Sequence, residues 1–97
     1  MRQNERDEQF KEVTNDMLKL FSKKNADYGD DFFTGGYSML ERWMSIRRKI
    51  ARLQKFVDSG EKMKVDDETV IDTWMDLANY CVMEIIMNKE YEKNKQE

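Results

Sequence analysis

The 97 residues contain no proline and no histidine, one cysteine and only four glycines. Absent proline and scarce glycine favour long helices over a sheet with many turns. Without histidine there is no histidine base, no Cys–His pair and no histidine metal ligand. One cysteine, Cys81, allows no disulfide within the chain, which fits a reducing cytoplasm. It sits in an apolar helical pattern and reads as an inert core residue. The first residues, MRQNERDEQ, carry charge and no apolar core, so they do not form a signal peptide. No apolar run approaches the roughly 20 residues that span a bilayer, so no membrane partner is expected. The formal net charge of -3 argues against wrapping a duplex nucleic acid but leaves room for a local phosphate-binding patch.

What is present is charge interleaved with bulky apolar residues. Charged residues make up 38%, yet aromatics and aliphatics recur throughout, so the chain does not read as disordered. Its length predicts one helical domain over 1–97. Phe10, Val13, Met17, Leu20 and Phe21 recur at helical spacing and predict a helix over about 4–25. The stretch 26–36, ADYGDDFFTGG, breaks that period. It holds Gly29, Gly35 and Gly36 with Tyr28, Phe32 and Phe33, and reads as a loop folded onto the core or lined up against a ligand. A basic helix is expected over 37–58, ended by Ser59–Gly60. A third helix is expected over 66–90, with Asp66 as N-cap and Val65 packing on Val70. It is apolar over more than half its circumference, so it should be central. It should also leave more apolar surface than one protomer can cover, which predicts self-association.

Glu68, Asp72 and Asp76 follow one another at steps of four in ETVIDTWMDLANY. That spacing stacks them on one helix face, where like charges cost roughly 0.2–0.5 kcal/mol per pair. Glu68 is explained by the helix dipole. Asp76, between Met75 and Leu77, needs a cation. Two readings stay open: a salt bridge to Arg47, Arg48, Lys49 or Arg52, or a Mg²⁺ site, since Mg²⁺ takes carboxylate oxygens. The basic helix likewise reads as a solvated face that partners the acids, or as a phosphate clamp. Aromatics in the loop are core plugs or a stacking platform for a base.

Three stretches, NADYGDDFF, RRKIARL and DETVIDTWMDLANY, together resemble the small helical family called nucleotide modification-associated domain 1, frequent in phage genomes. The resemblance covers residues 25 to about 88. That family is in turn similar to the MazG-like all-α NTP pyrophosphohydrolases, which hold Mg²⁺ with carboxylates of two adjacent helices. The resemblance implies an all-α, three-helix MazG-like protomer whose helices pair into a bundle in a homo-oligomer, a dimer or larger. It implies a nucleotide bound between protomers. Tyr28 and Gly29 match the family's loop, Lys49 and Arg52 its basic positions, and Asp72 and Asp76 its third-helix acids. Where the family commonly has an acid, this chain has Arg48, and Glu41 is the only carboxylate on the second helix before Asp58. A pyrophosphohydrolase needs acids from both helices to hold its metal, so binding is favoured over hydrolysis.

The expected ligand-binding residues are therefore Tyr28, Gly29, Phe32, Arg48, Lys49 and Arg52. Asp72 and Asp76 are the candidate Mg²⁺ ligands, with Glu41 after them; the structural alternative pairs Asp72 and Asp76 with Arg48 and Arg52. The expected function is that of a phage-type protein binding a phosphorylated nucleotide, cyclic ones included, and sequestering an immune signal in the host cytoplasm. The alternatives are a Mg²⁺-dependent NTP pyrophosphohydrolase and a helical protein–protein adaptor.

Overall fold

The computed structural model describes residues 2–28, 30–60 and 70–96, apart from the side chains of residues 27, 28 and 96. Four helices are present among them: α1, Gln3–Tyr28; α2, Asp31–Thr34; α3, Met39–Asp58; and α4, Val70–Gln96. The described residues hold no strand, so the chain is all-α as expected. The helix beyond the expected three is α2, a single turn inside the aromatic and glycine-rich loop. The chain divides into two compact units, Met1–Asp30 and Asp31–Glu97. Asp66, Val65, Glu68 and Gly29, like the Tyr28 side chain, lie outside the described residues.

The first unit is α1 and its end. Gln3 Nε2 donates to Asp7 Oδ1 at 3.0 Å, one turn on. Asn25 Nδ2 reaches Asp30 Oδ1 at 3.4 Å. Phe10, Val13 and Leu18 are exposed.

In the second unit, the Gly35 amide donates to Asp31 O at 2.7 Å and closes α2. A Cβ at Gly35 would come within 2.6 Å of both Asp31 O and Tyr37 Cε2, so the turn needs glycine there. Gly36 follows at φ 76°, a conformation that costs glycine little. Ser38 then caps α3, which is why the helix begins at Met39. Glu41 N–H donates to Ser38 Oγ at 3.2 Å, and Ser38 N–H donates to Glu41 Oε1 at 3.0 Å. This is a capping box, which satisfies two amides that the first turn leaves without partners. At the other end Ser59 is the C-cap and Gly60 takes φ 64°.

Helices α3 and α4 form an antiparallel hairpin. Arg42 pairs with Glu84 and Lys49 with Asp76. Moving up α3 from one pair to the next means moving down α4 by a nearly equal rise. Ile46 and Leu53 are buried along this seam, with Thr73 and Asp76. Helix α4 packs on both α3 and α2, so within this unit it is the shared element. The sequence reading fails on one core residue. Cys81, expected to be inert and buried, is exposed. The apolar arc of α4 is wider than α2 and α3 cover, and Cys81 falls on the uncovered part. Trp43, Ile50, Val57, Trp74 and Ile85 are exposed too. No described helix is long and apolar enough to cross a membrane.

Candidate functional site

The acidic stripe and the basic helix meet at Lys49 and Asp76. Asp76 is only 7% exposed, and Lys49 Nζ lies 3.7 Å from its Oδ2. One turn further along α4 is Tyr80, whose ring centroid lies 5.7 Å from the same ammonium. That is within the ~6 Å over which a cation is attracted to a ring face. Phe32, carried by α2, meets Tyr80 edge-on, with centroids 5.8 Å apart at 69°. Phe33 meets Phe32 in the same manner, at 5.4 Å and 74°. One helical turn thus sets Phe32 against Tyr80 of α4, with Phe33 edge-on to Phe32, and the lysine of α3 lies over the same Tyr80 ring. Phe32, Lys49 and Tyr80 are all half-buried, so each keeps an accessible side.

Of the residues expected to bind a ligand, Phe32 and Lys49 are brought together here. Arg48 is exposed on α3, its Nη2 donating to Ser45 Oγ at 3.1 Å. Arg52 is half-buried, and neither it nor Asp72 is free. Gly29 and the side chain of Tyr28 are outside the described residues. Tyr80 was not singled out from the sequence. Its signal was the step of four from Asp76 within DLANY, the spacing already used for the acids.

A bonded frame holds α2 in place over α4. The Tyr37 hydroxyl donates to Asp31 Oδ2 at 2.7 Å, and this bond to a carboxylate raises the phenol above its usual pKa. Arg42 Nη1 donates to Tyr37 O at 2.7 Å. The same guanidinium forks onto Glu84, Nε to Oε1 at 2.7 Å and Nη2 to Oε2 at 3.1 Å. The bonds to Glu84 raise the arginine further above its ordinary range. Asn88 Nδ2 completes the chain by donating to Glu84 Oε2 at 2.8 Å. Fork-to-fork bonds of this kind fix geometry as well as adding energy. They tie the start of α2, the start of α3 and the middle of α4 together, and so place Phe32 against Tyr80.

Mg²⁺, one of the two readings of the acidic stripe, is tested by the donors. Asp72 and Asp76 stand one turn apart on α4, and two carboxylates are enough for Mg²⁺ when a substrate supplies phosphates. The ammonium of Lys49, however, already stands at Asp76. Glu41 is engaged in the capping box, about 12 Å along α3 from Lys49 by helical rise. The Ser38 amide, then its hydroxyl, hold the Glu41 carboxyl below its ordinary pKa. Among the described residues no three His, Cys, Asp or Glu gather to hold a metal. As described, this donor set fits a lysine at Asp76 better than a divalent ion.

The fold and this cluster define a small helical protein with a lysine set between a carboxylate and the ring of Tyr80, against which Phe32 packs. The family model for nucleotide modification associated domain 1 matches residues 24–87. The chain belongs to that family. No curated protein and no solved structure shows significant similarity to it.

Proposed function

We propose that the protein binds a phosphorylated nucleotide at the Phe32–Tyr80–Lys49 cluster. The observation that carries this reading is the ammonium of Lys49 beside the face of Tyr80, with Phe32 packed against the same ring. An exposed aromatic face accepts any base by stacking, because every base has a π face. A lysine is a point charge for a phosphate, and arginine forks match phosphate oxygens. Arg48 and Arg52 lie within one turn of Lys49 on α3. The family's association with nucleotide modification supports the choice of ligand class. Both rings and the lysine belong to one chain, so a site can form in each protomer.

The role is binding rather than turnover: the protein holds the nucleotide, linear or cyclic, and sequesters it as a phage-type antagonist of a nucleotide signal. Lys49 at Asp76 supports this, since the carboxylate best placed for a metal already faces a cation. One observation favours a second reading. Asp72 and Asp76 at a step of four suit a Mg²⁺-dependent pyrophosphohydrolase, if a bound nucleotide draws Lys49 away.

One experiment separates the two. The purified protein is incubated with linear and cyclic nucleotides, with Mg²⁺ or with EDTA, then denatured, and the released small molecules are identified by mass spectrometry. Intact ligand in stoichiometric amount is the expected result. Repeated turnover to monophosphate and pyrophosphate establishes the hydrolase, and no retained nucleotide leaves the adaptor.

A further inference from the structure

Helix α2 cannot hold its own place. It is a single turn, closed by the Gly35 amide on Asp31 O, and so short a helix is not stable by itself. Phe32 therefore lies where contacts outside α2 put it. Its neighbour Asp31 is the tied end. The Tyr37 hydroxyl donates to Asp31 Oδ2, and the Tyr37 carbonyl accepts from Arg42 Nη1, each at 2.7 Å. The other two nitrogens of that guanidinium donate to the two carboxylate oxygens of Glu84. Glu84 stands one turn beyond Tyr80 on the same face of α4. Asn88 Nδ2, another turn on, donates to both its backbone oxygen and its Oε2. Arg42 is fixed at its root as well, its amide donating to Ser38 O at 3.0 Å in the capped first turn of α3. The Arg42 side chain is 10% exposed and that of Glu84 19%, so little water competes for these bonds. In this frame the link from Asp31 to α4 runs through the three nitrogens of Arg42.

We propose that Arg42 is a positioning residue of the candidate nucleotide site and sets the part of its affinity that comes from the base. The inference rests on the nucleotide reading and divides that site in two. Lys49 serves the phosphate, and Phe32 with Tyr80 serves the base. The base half needs the Phe32 ring in place before the ligand arrives, because ordering a loose side chain on binding offsets part of what its contact contributes. Arg42 is remote from the phosphate half. It stands seven residues before Lys49, about 10 Å along α3, and its charge is already met by Glu84. What it contributes is shape. Arginine brings three nitrogens in one rigid plane, and all three are engaged here; lysine carries the same charge on a single nitrogen. Arg42→Lys therefore keeps the field at Lys49 and breaks the frame. Tyr37→Phe breaks the frame from its other end, by removing one hydroxyl from an exposed residue.

The test compares two probes that share a phosphate and differ by a base, AMP and ribose 5-phosphate, by titration calorimetry in EDTA on the full chain. The parent should bind AMP the more tightly, by roughly 5- to 150-fold, the range that one base stacked on an aromatic spans. Arg42→Lys and Tyr37→Phe should each cut that ratio to about twofold or less by loosening the stacking ring. Affinity for ribose 5-phosphate should stay within about twofold of the parent's, because no charge is lost. In the ligand-free protein, the rings of Phe32 and Tyr80 should show nuclear Overhauser contacts that both variants lose while helical circular dichroism is kept. If Arg42→Lys fails to fold, Tyr37→Phe alone decides. A ratio that survives in the folded variants overturns the inference and leaves the proposed function standing. So does an equal loss of affinity for both probes, which would make Arg42 a support of the fold only. A parent that binds neither probe overturns the proposed function and this inference with it, and the ring contacts then show whether the frame was nevertheless formed.

Discussion

Lys49 has two neighbours that act on it differently. Asp76 attracts it as an ion and is itself almost buried, whereas Tyr80 attracts it through its ring and leaves one side open. The two ends of the pair are therefore unequal. The lysine chain, 23% exposed against 9% for the carboxylate, can swing its ammonium into water if its partner is lost. Asp76 cannot follow. Lys49→Met should accordingly destabilise the fold by about 1–3 kcal/mol, the cost of leaving a buried polar group short of a partner. Asp76→Asn, which keeps the shape, should cost less. Urea denaturation of both variants at neutral pH checks the order. If Asp76→Asn proves the more damaging, Asp76 serves contacts that matter more than the one to Lys49. Lys49→Met should also abolish nucleotide retention, and Asp76→Asn should preserve it; the opposite pattern would support a metal at Asp76.

At the scale of elements, the first turn of α3 rests on charge and the single turn of α2 on the lack of a side chain. Glu41 has a depressed pKa in the folded state. Its contribution is thus fully present above the ordinary carboxylate range and is lost as pH falls through the folded value. Glu41→Gln keeps a capping-box acceptor without the titration. The stability gap between the parent and this variant should therefore narrow, or reverse, as pH is lowered through about 4 and below; equal acid dependence would mean the box is not formed. Ser38→Ala should cost about 1 kcal/mol at neutral pH by removing the cap itself. For α2 the test is Gly35→Ala. The added methyl must displace the Asp31 carbonyl and the Tyr37 ring, so a loss of roughly 1–3 kcal/mol is expected. The Tyr37 phenol, raised by its bond to Asp31, should return toward an ordinary titration near pH 10 when followed by ultraviolet absorbance. Its raised value is stabilising below about pH 10 and is lost above it. Ser38-x-x-Glu41 is a signature that sequence displays openly, and the end of α3 at Ser59–Gly60 was readable for the same local reason. Helix α2 was not, because four residues contain no period, and FF between glycines reads as loop. The apolar neighbours Met75 and Leu77 showed that Asp76 needed a cation. That the cation is Lys49 depends on the register of α3 against α4, which Arg42 and Glu84 set across 42 residues of sequence. The width of the apolar arc on α4 was legible. What covers it was not, and Cys81 was misplaced for that reason.

At the scale of the whole molecule, a net charge of -3 coexists with a cationic strip on one helix. An anionic ligand must therefore be drawn by local groups rather than by the overall field. On α3, Lys49 and Arg52 project toward the side that carries Tyr80, and Arg48 stands at its edge. Lys55 lies about 180° from the buried Ile46 by helical count and is exposed. Arg52→Ala should weaken binding of a phosphorylated nucleotide about tenfold or more, the loss of one hydrogen bond to a charged group. Lys55→Ala should change it less than about twofold, since an exposed charge well away from the ligand is screened. Titration calorimetry in EDTA should give nearly the affinity found in Mg²⁺, because Lys49, Arg48 and Arg52 supply the positive charge themselves. Added salt should weaken binding in both buffers, less steeply for Arg52→Ala than for the parent. Equal losses from Arg52→Ala and Lys55→Ala would mean that the attraction is diffuse and the strip is not a site. Affinity that appears only with Mg²⁺ would move the phosphate from the lysine to a metal at Asp72 and Asp76, and with it the function from binding to hydrolysis.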